Sequence, residues 1–507
     1  MQRDDLKWLV NELRGLSGDL GTLAGHTEPS LLLALDQGGH ASRAIVFDAS
    51  GREVAEAFAP VSTYRSGTDR VEHAANEILE SIRTAIADVC QLLGTDVSRI
   101  KAAGLATQRS SIVCWDRRTH AALSPVLSWQ DRRNAAWLKT WAADQQEIRH
   151  ITGLPLSPHY GVSKLRWCLE ELPAVREAAL RDQLAVGPIA GWLLQQLIPD
   201  QPPVVDAANA SRTLLFDIKL GNWSPRLCEL ADIPMTLLPQ AVPTHHAFGN
   251  IALQGNSVPL MVCTGDQSAV PFAHGLPDGS TLYLNVGTGA FLQCLMTKEP
   301  TRPTSLLRSV LSWDQRAAKY SLEGTVNGAG SALDWLDDQT ALDDHRAASS
   351  LTREKVAGLA IPVFLNGVSG VGSPFWIPHL ESRFLDEGSS DELAKVAAVV
   401  ESIAFLITAN VKEMRAVEPG LARIVAAGGL SQSDYLCSCV ADLTGLVVER
   451  SSLREATATG LGFLIAGSPH NWSPRAELER FSPNANAALE QRHQRWQQAM
   501  QDVVNGS

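Results

Sequence analysis

The sequence predicts an α/β fold of two related units with a ligand cleft between them, and three observations carry that prediction. The chain has 507 residues, more than the roughly 250–300 at which a single core stops growing, so two domains are expected. Its main body opens at LLLALDQGGHASRAIVFD (31–48), an apolar strand, a glycine turn and a second apolar strand, followed by helix and strand patterns. The same grammar returns from PLMVCTGDQ (259–267) through STLYLNVGTGAFLQCLM (280–296). That repetition reads as a duplication with its boundary near Asp266, and clefts between such units are where small ligands bind.

Leu6, Leu9, Val10, Leu13 and Leu16 recur at helical spacing and predict an amphipathic helix in an appendage over 1–30. Strands follow at 31–36, 43–47 and around 53–59, with a turn at Ser50-Gly51. Ile78, Leu79, Ile82, Ile86, Val89 and Leu93 share one face of a helix over 75–93, which leads into a short strand at 102–106. Hairpin, crossover helix and strand together give a mixed sheet flanked by helices. In the second half, 259–267 reads as a strand ending in Asp266, and 280–296 as strand, glycine turn, strand. RIVAAGGLSQSDYL (423–436) reads as a strand running through a glycine turn into a helix. The units then span 31–266 and 267–507.

Lys plus Arg number 43 against 55 Asp plus Glu, a formal charge of −12. That balance argues against nucleic acid or an anionic membrane as the main partner and for a small molecule. No uninterrupted apolar run reaches the ~18 residues of a membrane span. The opening MQRDDLKWLVNELRGL carries acids where a signal peptide would be apolar, so the cytoplasm is the expected compartment. Eight cysteines form no CxxC pair and read as small buried hydrophobes. A homodimer is left open.

Four glycine turns follow strands: DQGG (36–39), TGDQ (264–267), GTG (287–289) and GGLSQS (428–433). Glycine at a strand end lets backbone N–H groups approach a phosphate without Cβ interference, whereas any one of these taken alone is an ordinary tight turn. Neither GxxxxGK[ST] nor GxGxxG occurs, which excludes the P-loop and the dinucleotide fingerprint. Asp36 and Asp266 read as strand-end carboxylates at matching places in the two halves. Phosphoryl transfer to a hydroxyl needs a metal on the phosphates and a carboxylate to take the proton, and two acids on one cleft can divide those tasks. The plainer alternative for each is a turn-capping Asp.

Taken together these segments resemble the FGGY carbohydrate kinases, closest to their glycerol kinase subgroup. The resemblance runs over about 31–467 and is carried by LALDQG (33–38), SRAIVFD (42–48), VEHAANEI (71–78), GLATQR (104–109), SWQDRR (128–133) and NASRTLLFDI (209–218). It continues through GDQSA (265–269), NVGTGAF (285–291), SLEGTVNGAGSALDWL (321–336), ESIAF (401–405), AAGGLSQSDYL (426–436) and EATATGLG (455–462). It implies two ribonuclease-H-like, actin-like ATPase domains closing on ATP, Mg2+ and a small polyol or sugar. It also implies Asp266 as catalytic base, with Asp36 and Asp266 on the metal side. Gly38, Gly39, His40 and Arg43 fall in the first phosphate turn, and Gly287, Thr288 and Gly289 in the second. Gly330, Asp334, Gly428, Gly429 and Ser433 fall against the nucleotide. Arg109, Ser110, Trp129, His159, Gln267 and Phe291 join Asp266 on the substrate side.

Three departures stand out. The family's Thr-Thr-Ser in the first phosphate turn is replaced by Gly39, His40 and Ala41. A lost charge-assisted hydrogen bond costs about 1.5–3 kcal/mol, which leaves weaker use of ATP, or another phosphoryl donor, open. Ser110 and His159 stand where glycerol kinases have Glu and Tyr, and the lost carboxylate makes room for a larger or differently oriented polyol or sugar. Leu385 replaces a glycine of the family's signature segment. A second reading is a non-catalytic nucleotide-binding or regulatory protein with a decayed kinase fold, against which both aspartates and the GTG turn speak. Arg132 and Arg133 are expected to pair with Asp131 or a neighbouring acid, and the tryptophans other than Trp129 to pack.

Overall fold

The computed structural model describes residues 30–506 apart from 299, 301–303, 315–316, 338–342, 386–390, 471 and 473–476. The helix expected within 1–30 lies outside the described residues. The first sheet contains β1 (Leu31–Gln37), β2 (Ala41–Asp48), β3 (Glu53–Pro60), β4 (Ile100–Thr107), β5 (His245–Leu253) and β6 (Asn256–Gly265), in the order β5-β6-β4-β1-β2-β3. Every residue of β1 is buried, which is why its apolar run is continuous instead of alternating. Helix α1 (Ala75–Leu93) matches the predicted span and buries Ile78, Leu79, Ile82 and Val89 in the first core.

The second sheet contains β7 (Thr281–Val286), β8 (Ala290–Met296), β9 (Leu307–Trp313), β10 (Ala318–Val326), β11 (Arg423–Ala427), β12 (Val447–Ser451) and β13 (Leu478–Phe481). Their order is β9-β10-β8-β7-β11-β12-β13. Two antiparallel steps followed by two parallel steps build both β3-β2-β1-β4-β6 and β10-β8-β7-β11-β12. This shared five-strand pattern is the duplication expected from the sequence.

One equivalence differs from the sequence reading. The strand that ends at Gly265 is the last parallel strand of the first sheet, not the first strand of the second. Asp36 and Asp266 are therefore not counterparts. Both stand at the carboxyl edge of one sheet, on either side of β4, where Asp36 pairs in register with Ala106 and Gly265 with Thr107. An apolar run ending in a glycine turn does not specify which sheet it joins; crossover geometry decides that.

Helices α2 (Gly330–Asp337), α3 (Asp344–Ser350), α4 (Glu392–Val417) and α5 (Asp434–Thr444) cover the second sheet, and α6 (Ala456–Ile465) returns to the first. On α6, Ala458, Leu461, Phe463 and Leu464 pack with Leu32, Ala34, Phe47, Ala106 and Val262. A Cβ at Gly460 would lie 2.0 Å from the Ala269 carbonyl oxygen, so only glycine permits this approach.

By length and hydropathy helix α4 could cross a membrane, although charged residues such as Glu401 interrupt its apolar run. Its apolar window is 83% buried within the protein, which makes it a core helix. Glu401 at its centre is neutralised by a fork from Arg492, at 2.7 and 2.6 Å, on the terminal helix α7 (Ala487–Gly506), and Tyr435 donates to the same carboxylate. All eight cysteines are free and buried, as expected. The units are also stitched along β9, where the Trp313 N–H donates to Thr244 Oγ1 at 2.9 Å and Arg212 to Ser309 Oγ at 2.7 Å.

Candidate active site

The first half of the site grows from the carboxyl ends of β1, β4 and β6. Gln108 follows β4 and donates from its backbone to the Gln37 carbonyl at 2.8 Å, tying the ends of β4 and β1 together. Ser110 then adopts φ 66°, a left-handed conformation uncommon for a non-glycine residue, as the chain leaves the sheet. Between them the Arg109 side chain lies buried across Gly265, where a Cβ would stand 2.4 Å from its Cγ. Arg109 Nε is 3.9 Å from Asp266 Oδ1. Asp266 Oδ1 also accepts the Gln267 N–H at 2.6 Å. Burial raises the Asp266 pKa above its ordinary value, and Arg109 opposes that rise.

Asp36 is buried and its Oδ1 has no hydrogen-bond partner. Burial first, then repulsion from Asp266, lifts its pKa to about 7 against the pull of Arg43. The two carboxylates thus share one electrostatic site. Two acids, one with a bare buried oxygen, suit a hard divalent cation that prefers oxygen ligands. Arg43 itself pairs with Glu455 on the return to α6, Nε to Oε2 at 3.2 Å, and His40 is exposed at the tip of the turn.

Trp129 and His159 meet with ring centroids 6.5 Å apart. His159 Nδ1 lies 3.1 Å from the Trp129 carbonyl oxygen, so it carries the hydrogen and Nε2 is left as an acceptor. Burial holds the imidazole down to about 4, hence neutral. Lys164, fully buried, donates to the carbonyls of Ser128 and His159 at 3.0 and 2.8 Å and fixes the two segments together. Burial pushes its pKa down to about 7. Arg133 pairs with Asp131 and Glu72, as expected of a structural arginine.

The second half is the turn after β7. The Ala329 and Ser331 N–H groups donate to the Thr288 carbonyl at 3.1 Å each, and the Gly330 N–H to that of Gly287 at 2.9 Å. The turn is thereby locked onto the start of α2. A Cβ on Gly330 would sit 2.9 Å from the Gly287 oxygen, so glycine is required there. Gly287, Thr288, Gly330, Asp334 and Gly429 line one cleft of about 280 Å³ together with His345, Ser349 and Leu430. Gly428 supports it at φ 92°. Ser433 does not line this cleft: it is fully buried, caps α5 by accepting from the Leu436 N–H, and donates to the Ala348 carbonyl at 2.7 Å. Leu385 donates its backbone N–H to the Val363 carbonyl just after Arg383–Phe384, which pair with Phe364–Leu365, and residues 386–390 lie outside the described residues.

Sequence reasoning missed Glu323, Arg212 and His345. Glu323 on β10 takes a fork from Arg109 at 2.7 and 3.1 Å, with Arg212 at 3.3 Å and Gln293 Nε2 at 3.2 Å. Burial raises its pKa, but the two arginines outweigh that and hold it at about 2. Phe291 shares a face of β8 with Gln293, two residues on, and so belongs to the side turned toward Arg109. His345 bonds Asp334 at 2.7 Å. Glu323 and Arg212 stood inside recognised segments, yet only long-range packing pairs them with Arg109.

The N-terminal domain model of the FGGY family of carbohydrate kinases matches residues 31–281, and its C-terminal domain model matches 282–467. The chain belongs to this kinase family. Glycerol kinases of Alkalilimnicola ehrlichii and Trichodesmium erythraeum are 34% and 31% identical to it. The matches cover 92% and 94% of this chain and 97% and 98% of theirs. Its fold is that of a Plasmodium falciparum glycerol kinase with ADP (TM-score 0.85, 22% identity, 94% and 98% covered) and of a Rhodospirillum rubrum xylulose kinase (0.81, 20%, 94% and 99%). The kinase is thus an ATP-dependent phosphotransferase with an alcohol acceptor, and the actin-like two-sheet fold expected from the resemblance is the one observed.

Proposed function

We propose that this kinase transfers the γ-phosphoryl group of magnesium-ATP to a hydroxyl of a polyol or sugar larger than glycerol, with Asp266 as the base. The observation that carries this reading is Asp266 and Arg109 side by side at 3.9 Å on the edge of the first sheet. A carboxylate whose pKa is raised by burial is a stronger base, and its Oδ2 is free of the Gln267 N–H that Oδ1 accepts. Arg109 donates to substrate oxygens beside it, and the Trp129 face packs on C–H bonds. His159 Nε2 accepts a hydroxyl where the subgroup's Tyr would stand, and the short Ser110 leaves space in place of a Glu.

Asp36 and Asp266 would hold Mg2+, Asp36 through its bare oxygen. Held there, it would supply positive charge to offset the negative charge of the phosphoryl group in transfer. The Gly287–Gly289 turn and the Gly429 turn receive the nucleotide in the cleft of the second unit. Closure of 31–266 against 267–507 excludes water from the transfer.

The test is ADP release with magnesium-ATP against glycerol, erythritol, pentitols, ketopentoses and hexoses, with Asp266→Asn alongside. A four-carbon or larger acceptor should give the highest kcat/KM, and Asp266→Asn should lower kcat by about 10²–10⁴-fold. Preference for glycerol would overturn the substrate assignment, and full activity of Asp266→Asn the assignment of the base.

A further inference from the structure

Arg109 has five N–H donors in a plane, and two carboxylates approach different edges of it. The Nη1/Nη2 edge is taken by Glu323 as a fork, at 2.7 and 3.1 Å, while Nε faces Asp266 at 3.9 Å. Glu323 is 4% exposed and is itself held from three further sides by Arg212, Gln293 and Ser321. It comes from β10 of the second sheet, whereas Arg109 and Asp266 follow the ends of β4 and β6 of the first.

We propose that Glu323 is a positioning residue for the kinase reaction: from the second unit it fixes the plane of Arg109, so that the remaining guanidinium edge is aimed at the acceptor hydroxyls beside Asp266. A fork–fork pair constrains direction as well as distance, which a single contact to a flexible arginine does not. The fork also engages the edge of Arg109 that would otherwise be available to Asp266 itself. Because the two partners come from different units, the acceptor side is ordered only when the units are packed together. The cleft that receives the nucleotide contains none of these groups.

The inference rests on the reading of Arg109 and Asp266 as the acceptor site, and the test separates the two. Glu323→Gln, Arg109→Ala and the double variant are compared by steady-state kinetics on the preferred acceptor, with the KM for ATP and thermal unfolding measured on each. Glu323→Gln should raise the acceptor KM or lower acceptor kcat/KM about tenfold or more, with the KM for ATP unchanged. In the Arg109→Ala background the same substitution should have no further effect, because the group it acts through is gone. Glu323→Asp keeps the charge that the buried arginines need and should recover part of the loss; it carries the test if Glu323→Gln does not fold. An equal loss with and without Arg109, or an equal rise in the KM for ATP, overturns the positioning role. Arg109→Ala with wild-type acceptor kinetics would instead overturn the acceptor site itself.

Discussion

Gly265→Ala is expected to cripple the acceptor side of this kinase through a single methyl group. Gly265 has φ −82° and ψ 149°, a conformation open to any L-residue. The substitution therefore introduces no backbone strain, and by restricting the unfolded chain it contributes about 0.4–1 kcal/mol toward folding, which the displacement of buried Arg109 opposes. The added Cβ, however, would stand 2.4 and 2.5 Å from Arg109 Cγ and Cδ. Carbons rest at about 3.5–4.0 Å, so the arginine must retreat by about 1 Å. A shift of that size carries the Glu323 fork, now at 2.7 and 3.1 Å, beyond hydrogen-bond distance. Misplacement by about 1 Å costs about a hundredfold, equivalent to ~2.7 kcal/mol of barrier. Steady-state kinetics should then show acceptor kcat/KM reduced by about that factor, with the KM for ATP and cooperative unfolding retained. Wild-type acceptor kcat/KM in a folded variant would refute the claim that the placement of Arg109 governs this side of the site.

Three further outcomes are expected. Gly330→Ala would press a Cβ to 2.9 Å from the Gly287 oxygen, displacing the phosphate turn, so equilibrium binding should show weakened ATP with acceptor binding intact. Ser110→Glu with His159→Tyr should shift the kcat/KM ratio toward glycerol and away from larger polyols; an unchanged ratio would show that these positions do not set acceptor size. His159 is depressed from 6.5 to about 4 and Glu323 from 4.5 to about 2. Depressed groups stabilise the native state above their unfolded pKa and lose that stability on acidification. Stability should therefore fall by about 3 kcal/mol between pH 6.5 and about 4 from His159, read as a lower thermal midpoint, and His159→Gln should flatten that limb.

Local pattern sufficed wherever burial follows chain neighbours. The helix over 75–93 was legible because its apolar face repeats at helical period, and β1 because both its faces are covered. Asp36, Asp266 and the Gly287–Gly289 turn were legible as well, since strand ends and glycine turns mark themselves, whereas Arg109 was identified only through the family resemblance. The sequence alone therefore determined the two-unit α/β fold, the kinase family and most residues of the cleft. Only the tertiary structure decided that Asp36 and Asp266 share one sheet edge, that Ser433 is a buried helix cap outside the cleft, and that Glu323 reaches across from the second sheet to hold Arg109. Sheet membership and a salt bridge spanning 214 positions depend on how distant segments pack. No local periodicity or motif spacing encodes that choice, because the free energy that fixes it comes from contacts between parts of the chain far apart in sequence.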